Sequence, residues 1–399
     1  MTSNSARHRM TATDAAHRVT SGELFFDLVF VCAITQVTAL MAADPTWLRL
    51  FGAAVVLALL WWCWSCFAWL GNVVRADSGP LFGVLIAVMS IVMVTSLVVP
   101  EVYEDKAGGV PAALVFVLCY GSVRLLHLAS YWVAHPGDAA LRAVLRRTAL
   151  ISVLPPFVLL LAGSQLHGRA QVLVWLGAVA IDYLGIYVTG SSGWRVNSAG
   201  HFAERHGLIV IIALGESLVA IGVGAAGYAV TGAVLAAGVA GVLVAAGLWL
   251  LYFRRVAEPV EERLASLEGD ARTTLARDAY TFLHLPLIAG VVLTALGVES
   301  VLHQAADSGH YDLAEPLHGV QAWALTGGVG LFLLGTAAIL LRVGARRPTA
   351  LLVAGALCLP AGLLVALVPA LLALGLLTLV VPAALLLHRR AGRRAPAQG

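Results

Sequence analysis

The sequence predicts an all-α polytopic membrane protein of about twelve transmembrane helices, arranged as two parallel six-helix halves. Three observations predict it. The 399 residues are 60% hydrophobic and 12% charged, with a mean hydropathy of +0.89, whereas a soluble domain is about 25% charged. The apolar residues fall into twelve runs, each near the ~20 residues that cross a hydrocarbon layer. The basic residues are distributed very unequally between the two sides that those runs define.

Taken in order, residues 1–20 form a polar arm with Arg7, Arg9 and Arg18. The first apolar run carries Glu23 and Asp27 and lacks a small-residue cleavage site, so it is not read as a signal peptide. Spans are expected near 22–42, 48–70, 80–100, 111–134, 145–165, 170–190, 206–226, 230–252, 280–304, 318–342, 349–367 and 369–388. With the N-terminus inside, twenty-one arginines fall on the inner side; Arg49, Lys106 and Arg169 fall outside, and Arg124 lies within span four. This asymmetry places both termini in the cytoplasm of a cell whose inner (plasma) membrane holds the chain. The net charge of +3 follows that topology and carries no nucleic-acid signal. The five cysteines lie in apolar runs, Cys63-x-x-Cys66 among them, and are read as packed or lipid-facing thiols rather than a disulfide framework.

The longest inner loop, about 254–279, does not divide the chain evenly, so the repeat is sought elsewhere. Arg146-Arg-Thr-Ala-Leu150 opens span five much as Arg346-Arg-Pro-Thr-Ala-Leu351 opens span eleven. Glu23 to Leu40 also lies ungapped on Glu204 to Ile221. The expected organisation is an arm at 1–20, halves at 21–200 and 201–390 related by an axis along the membrane normal, and a tail at 391–399.

Candidate functional residues are the polar groups inside these runs, because a charge in hydrocarbon is unfavourable unless neutral, paired or in a wet cavity. Glu216 lies roughly 12 Å along its helix from Leu208 at ~1.5 Å per residue, near mid-membrane. Ser217 follows it. Glu23 and Asp27 share one helix face, where two carboxylates require a cation or donor between them. Glu23 also suits the inner end of a helix as an N-terminal charge. Arg124 and His127 share a face of span four, and Arg124 requires a carboxylate, with Asp27, Asp182 and Glu216 as the candidates. His284 precedes Pro286 and suits either a hydrogen-bonded core histidine or a proton carrier. His201, Glu204 and His206 are close in the chain but do not form an H-E-x-x-H metal pattern. Phosphate-binding loops and a nucleophile elbow are also missing, so neither an enzyme nor a cofactor is expected.

Two segments are long enough to carry a family resemblance. Glu23-Leu-Phe-Phe-Asp-Leu-Val-Phe-Val31 with Ile34-Thr-Gln36, and His201-Phe-Ala-Glu-Arg-His-Gly-Leu-Ile-Val-Ile-Ile-Ala-Leu-Gly-Glu-Ser217, resemble the bacterial low temperature requirement A family. His284-Leu-Pro-Leu-Ile-Ala-Gly290 resembles a later segment of it. The resemblance implies a multi-span inner-membrane protein and no particular activity. Phe25-Phe-Asp27 also has a weaker likeness to the first-helix Phe-Ser-Asp motif of six-plus-six-span potassium channels. The expected function is transport of a small solute or ion, possible coupling to protons included. Glu23, Asp27, Gln36, Glu216 and Ser217 would line a polar path. Arg124, His127, Asp182, His201, Glu204, Arg205 and His284 would act as counter-charges or proton relays. A cation channel, an intramembrane enzyme or lipid-handling protein, and a stress-related membrane protein without transport are the alternatives. The bilayer, an unidentified small solute or ion, and a second copy of the chain are the expected partners.

Overall fold

A computed structural model describes residues 13, 17–75, 79–190, 193–345 and 348–394; the side chains at 216, 217, 220, 221 and 389–394 lie outside the description. The described chain is helical without a β-strand. The helices are α1 (Ser21–Ala43), α2 (Trp47–Val73), α3 (Gly79–Val98), α4 (Ala112–Ala134), α5 (Ala139–Thr148), α6 (Leu154–Gly163), α7 (Gly168–Thr189) and α8 (Ala199–Gly224). They continue with α9 (Gly232–Arg255), α10 (Ala257–Ala265), α11 (Gly269–Leu275), α12 (His284–Ala306), α13 (Gly319–Arg342), α14 (Thr349–Val365) and α15 (Ala370–Arg394). π-Helical turns at Ala149–Val153 and Ala276–Phe282 join α5 to α6 and lead from α11 towards α12.

Ten of these segments are long and apolar enough to cross a membrane, counting α5–α6, α9–α10 and α11–α12 as one each. The other two expected spans correspond to α8, with 26 residues, and α14, with 17. The protein is an all-α, multi-pass integral membrane protein.

Polar residues placed just ahead of the apolar runs start the helices. Thr20 and Glu23 form a capping box: the Glu23 amide donates to Thr20 Oγ1 at 3.3 Å, and the Thr20 amide donates to Glu23 Oε2 at 3.0 Å. Two orphan donors of α1 are thereby satisfied. Asp138 caps α5 and Thr231 caps α9. Ser198 accepts the His201 amide at 3.2 Å and opens α8.

The chain divides into two compact units. The first comprises residues 1–40, 48–209 and 264–277, and the second 41–47, 210–263 and 278–399. The expected halves, 21–200 and 201–390, differ from these in where 41–47, 201–209 and 264–277 belong. In the first unit α3 packs on α4, and α6 packs on α4 and α7. α2 is the most buried crossing, with 83% of its apolar window inside against 28% for α7.

In the second unit α12 and α13 approach backbone to backbone. A Cβ on Gly328 would sit 2.5 Å from the Thr294 nitrogen, so the glycine is what allows the contact. α13 packs on α14, and α9 on α12 and α15. His284 at the start of α12 is hydrogen-bonded at both ring nitrogens. Nδ1 donates to the Ala279 carbonyl at 2.8 Å, and Nε2 meets the Tyr252 hydroxyl at 2.9 Å.

Past the end of α12, Asp307 anchors the following loop. It accepts from His310 Nδ1 at 2.9 Å and from the Tyr228 hydroxyl at 3.2 Å. The His310 hydrogen bond, with help from Tyr228, holds the Asp307 carboxyl below its ordinary range against partial desolvation. A carboxyl depressed by folding stabilises above its unfolded pKa of about 3.9 and loses that contribution as pH falls through its lower folded value. Protection of the His310 and Tyr311 amides, which donate to the Asp307 carbonyl, should therefore hold at neutral pH and fall below about pH 4. Hydrogen exchange would show this, and Asp307→Asn should remove the pH dependence.

Candidate functional site

The first unit buries two charged clusters, on two sides of α2. One joins α1, α2 and the first turns of α8. Glu23 and Asp27 lie one helical turn apart on α1, as do His201 and Arg205 on α8, so two i,i+4 pairs face each other. The Arg205 guanidinium bridges the carboxylates: Nη1 donates to Glu23 Oε1 at 2.8 Å and Nη2 to Asp27 Oδ1 at 2.6 Å. Arg205 is thus the cation that the paired carboxylates require. Trp64 of α2 donates its indole N–H to Asp27 Oδ1 at 2.7 Å. The guanidinium lies 5.7 Å from the Trp64 ring and 5.9 Å from Phe26. All four charged or ionisable side chains are at least 98% buried.

Glu23 is saturated with donors. Besides Arg205 and the Thr20 amide, it accepts from the Thr20 hydroxyl at 3.1 Å and from His201 Nε2 at 3.1 Å. Space for it comes from α2, because a Cβ on Gly71 would lie 2.5 Å from Glu23 Oε1. Asp27 is different. Both of its donors reach Oδ1, and Oδ2 is buried without a hydrogen-bond partner.

Asn72 at the end of α2 completes the cluster. Its Oδ1 accepts the backbone amides of Asn197 (2.8 Å) and Ser198 (3.3 Å). Its Nδ2 donates to the Ser198 carbonyl at 2.6 Å and contacts His201 Nδ1 at 3.2 Å. The backbone partners fix which end of the amide is which. Thr13 lies over this corner, donating its hydroxyl to the Asn72 carbonyl and its amide to the Val73 carbonyl.

The second cluster joins α2, α4, α7 and the π-helical turn after α5. Of the three candidate partners, Arg124 takes Asp182, with Nη2 3.1 Å from Oδ1. The same nitrogen donates to the Ser152 carbonyl at 3.2 Å, and Nη1 to Cys66 Sγ at 3.1 Å. The Tyr120 hydroxyl donates to Asp182 Oδ2, and the Trp62 ring lies 5.7 Å from the Arg124 guanidinium. One cation faces one anion here.

The remaining candidates are dispersed. His127 is buried beside Phe67, Tyr131 and Trp194, and neither ring nitrogen has a hydrogen-bond partner. It is not wired to the Arg124 pair. Gln36 is half-buried on α1, about 13 Å along the helix from Asp27. Glu204 is half-buried and accepts the Val19 amide at 3.4 Å, away from His201. His284 belongs to the second unit. The side chains of Glu216 and Ser217 lie outside the described residues. Sequence reasoning missed Trp64 and Asn72. The lone amide ending an apolar run was the available signal for Asn72, and Thr20-x-x-Glu23 was the available signal for the capping box.

His17, Glu23 and His201 bring ligand atoms within 4.8 Å of one another, which raises the question of a metal. The donor set fits one poorly. Arg205 already occupies Glu23 Oε1, and its positive charge opposes a second cation there. The cysteines are free thiols, Cys63 and Cys358 buried among them.

The Arg124–Asp182 pair makes a stability prediction. Arg124→Leu leaves a bare buried carboxylate and should lower stability in detergent by about 3–5 kcal/mol. Arg124→Leu with Asp182→Asn should recover part of it. Thermal unfolding of the purified variants would check this; a double variant no more stable than Arg124→Leu would refute the pairing as the cause.

The chain is 27% identical over 326 residues to the uncharacterized protein RA0937 of Rhizobium meliloti (strain 1021), a match that covers 79% of this chain and 75% of that one. No solved structure matches it. Residues 18–386 match the family described as bacterial low temperature requirement A protein (LtrA), a stretch that begins just ahead of the Glu23–Asp27 cluster and runs nearly to the end of α15. The chain belongs to the LtrA family.

Proposed function

We propose that this protein transports a small solute or ion across the bacterial inner membrane in exchange with, or together with, protons, and that Asp27 is the exchanging acid. The charge count of the α1–α2–α8 cluster carries this reading. Two buried carboxylates share one guanidinium, and in this reading the His201 imidazole, 3.1 Å from Glu23, gives it an N–H and adds no charge. A surplus negative charge at full burial calls for a proton or another cation. Glu23 has donors on both oxygens, so the proton belongs on Asp27, whose Oδ2 is open. The Arg124–Asp182 cluster has no such surplus and serves as a register-fixing pair. A cation channel uses the same surplus charge without a stored proton, and the infrared measurement below separates the two.

Asp27→Asn retains an oxygen to accept from Trp64 and Arg205, so the variant should fold. In pH-difference infrared spectra, the carbonyl band of a protonated buried carboxyl should be present in the wild type and absent in Asp27→Asn. Transient currents after a pH jump on supported membranes should fall to the level of protein-free vesicles. An unchanged band would exclude Asp27 as the proton carrier.

The orientation follows from the arginine asymmetry. Reporters fused after Gln398 should read as cytoplasmic, and reporters inserted at Asp307 as external. An external C-terminus would overturn the assignment.

A further inference from the structure

We infer that Asn72 is a positioning residue that restricts the buried cluster to a single exchangeable proton, by fixing the tautomer of His201. The inference rests on the reading of Asp27 as the proton-exchanging acid and adds the reason why the neighbouring imidazole does not share that role. Backbone groups cannot change their hydrogen-bonding role. The Asn197 and Ser198 amides can only donate, so the Asn72 atom they contact is the oxygen. The Ser198 carbonyl can only accept, so the atom 2.6 Å from it is the amide nitrogen. That nitrogen is also the one 3.2 Å from His201 Nδ1, so Nδ1 must accept. The single ring proton then sits on Nε2 and is donated to Glu23.

A second proton on His201 has nowhere to go. On Nδ1 it would point at an N–H of Asn72, whose amide cannot flip without breaking three backbone hydrogen bonds in a buried corner. Glu23 is held by Arg205 and Thr20, and the His17 ring lies 4.7 Å from the His201 ring, centroid to centroid. Across α1, Asp27 reaches Arg205 and Trp64. On α8, His206 stacks edge-on against Trp64, and its Nδ1 contacts the Phe202 carbonyl. Of the groups in direct contact with Arg205 or Glu23, that leaves the open oxygen of Asp27.

Nitrogen-15 spectroscopy of the full-length protein in nanodiscs, labelled at histidine, reads the tautomer directly. The His201 signals are identified by their loss in His201→Gln. In the wild type Nε2 should carry the proton and Nδ1 should be bare. In Asn72→Asp a carboxylate replaces the fixed donor and can accept from Nδ1, so both ring nitrogens should become protonated. A wild-type spectrum with a proton on Nδ1 overturns the inference without any variant. So does a folded Asn72→Asp protein whose Nδ1 stays bare. The spectrum does not depend on proton movement through Asp27, so it can fail or succeed independently of the infrared test of that residue.

Discussion

The Arg205 guanidinium between Glu23 and Asp27 is the contact on which the first unit depends. Two carboxylates one turn apart on an apolar helix repel each other and resist desolvation. Only a planar, two-pronged cation at the right height satisfies both at once, and Arg205 reaches them at 2.8 and 2.6 Å. That requirement sets α1 and α8 in register to within one turn. It also explains the small residue at Gly71 and the indole N–H at Trp64, since α2 must both make room for Glu23 and supply a donor to Asp27. Removing the cation alone would leave two bare buried acids, the more damaging way to break such a pair.

The two clusters use the same kinds of residue to different ends. Arg124 and Asp182 cancel, and they also bond a tyrosine, a thiol and a carbonyl that the π-helical turn presents. A balanced pair of this kind holds helices together and has no reason to change its charge. In the α1–α8 cluster two carboxylates share one guanidinium, and Asp27 Oδ2 is left without a hydrogen-bond partner. A protein that needed only a clamp between α1 and α8 could have used one carboxylate.

Much of this was legible in the sequence. The all-α, multi-pass architecture follows from composition and run length, which dominate wherever every backbone group must be satisfied inside a helix. Glu23, Asp27, Arg124 and Asp182 stood out because charge is rare in such runs, whereas Arg205 lies just ahead of the expected span 206–226 and is expected as a counter-charge. Their pairing did not: Asp27, Asp182 and Glu216 were equally good partners for Arg124, since the choice depends on the rotation of each helix about its axis. Nor was the role of Asn72 legible, because one asparagine in a chain carries no period and no partner; its meaning comes from backbone groups 125 and 126 residues away. His201 and Glu204 were close in the chain, but one turns inward to Glu23 and the other outward to the N-terminal arm.

Position along α1 gives the cluster a direction. Glu23 sits in the first turn, within reach of the polar arm that carries Thr20 and of the α8 cap at Ser198. Asp27 lies one turn deeper. Beyond it lies a small cavity lined by the apolar side chains Phe30, Ile34, Leu57, Leu60, Trp61, Trp64 and Ile209. A space of that lining does not hold water, so the polar cluster lies on one side of Asp27 and a dry cavity on the other. In the transport reading, a proton on Asp27 exchanges towards the Glu23 side while that cavity stays dry. It reaches the far side only if α1, α2 and α8 rearrange enough to wet it. The rearrangement would have to move Arg205 or Trp64 relative to Asp27, because those two donors define the pocket of the acid. Loss of the proton and loss of these contacts are thereby linked through one carboxyl group, which is the minimum that coupling between charge and conformation requires.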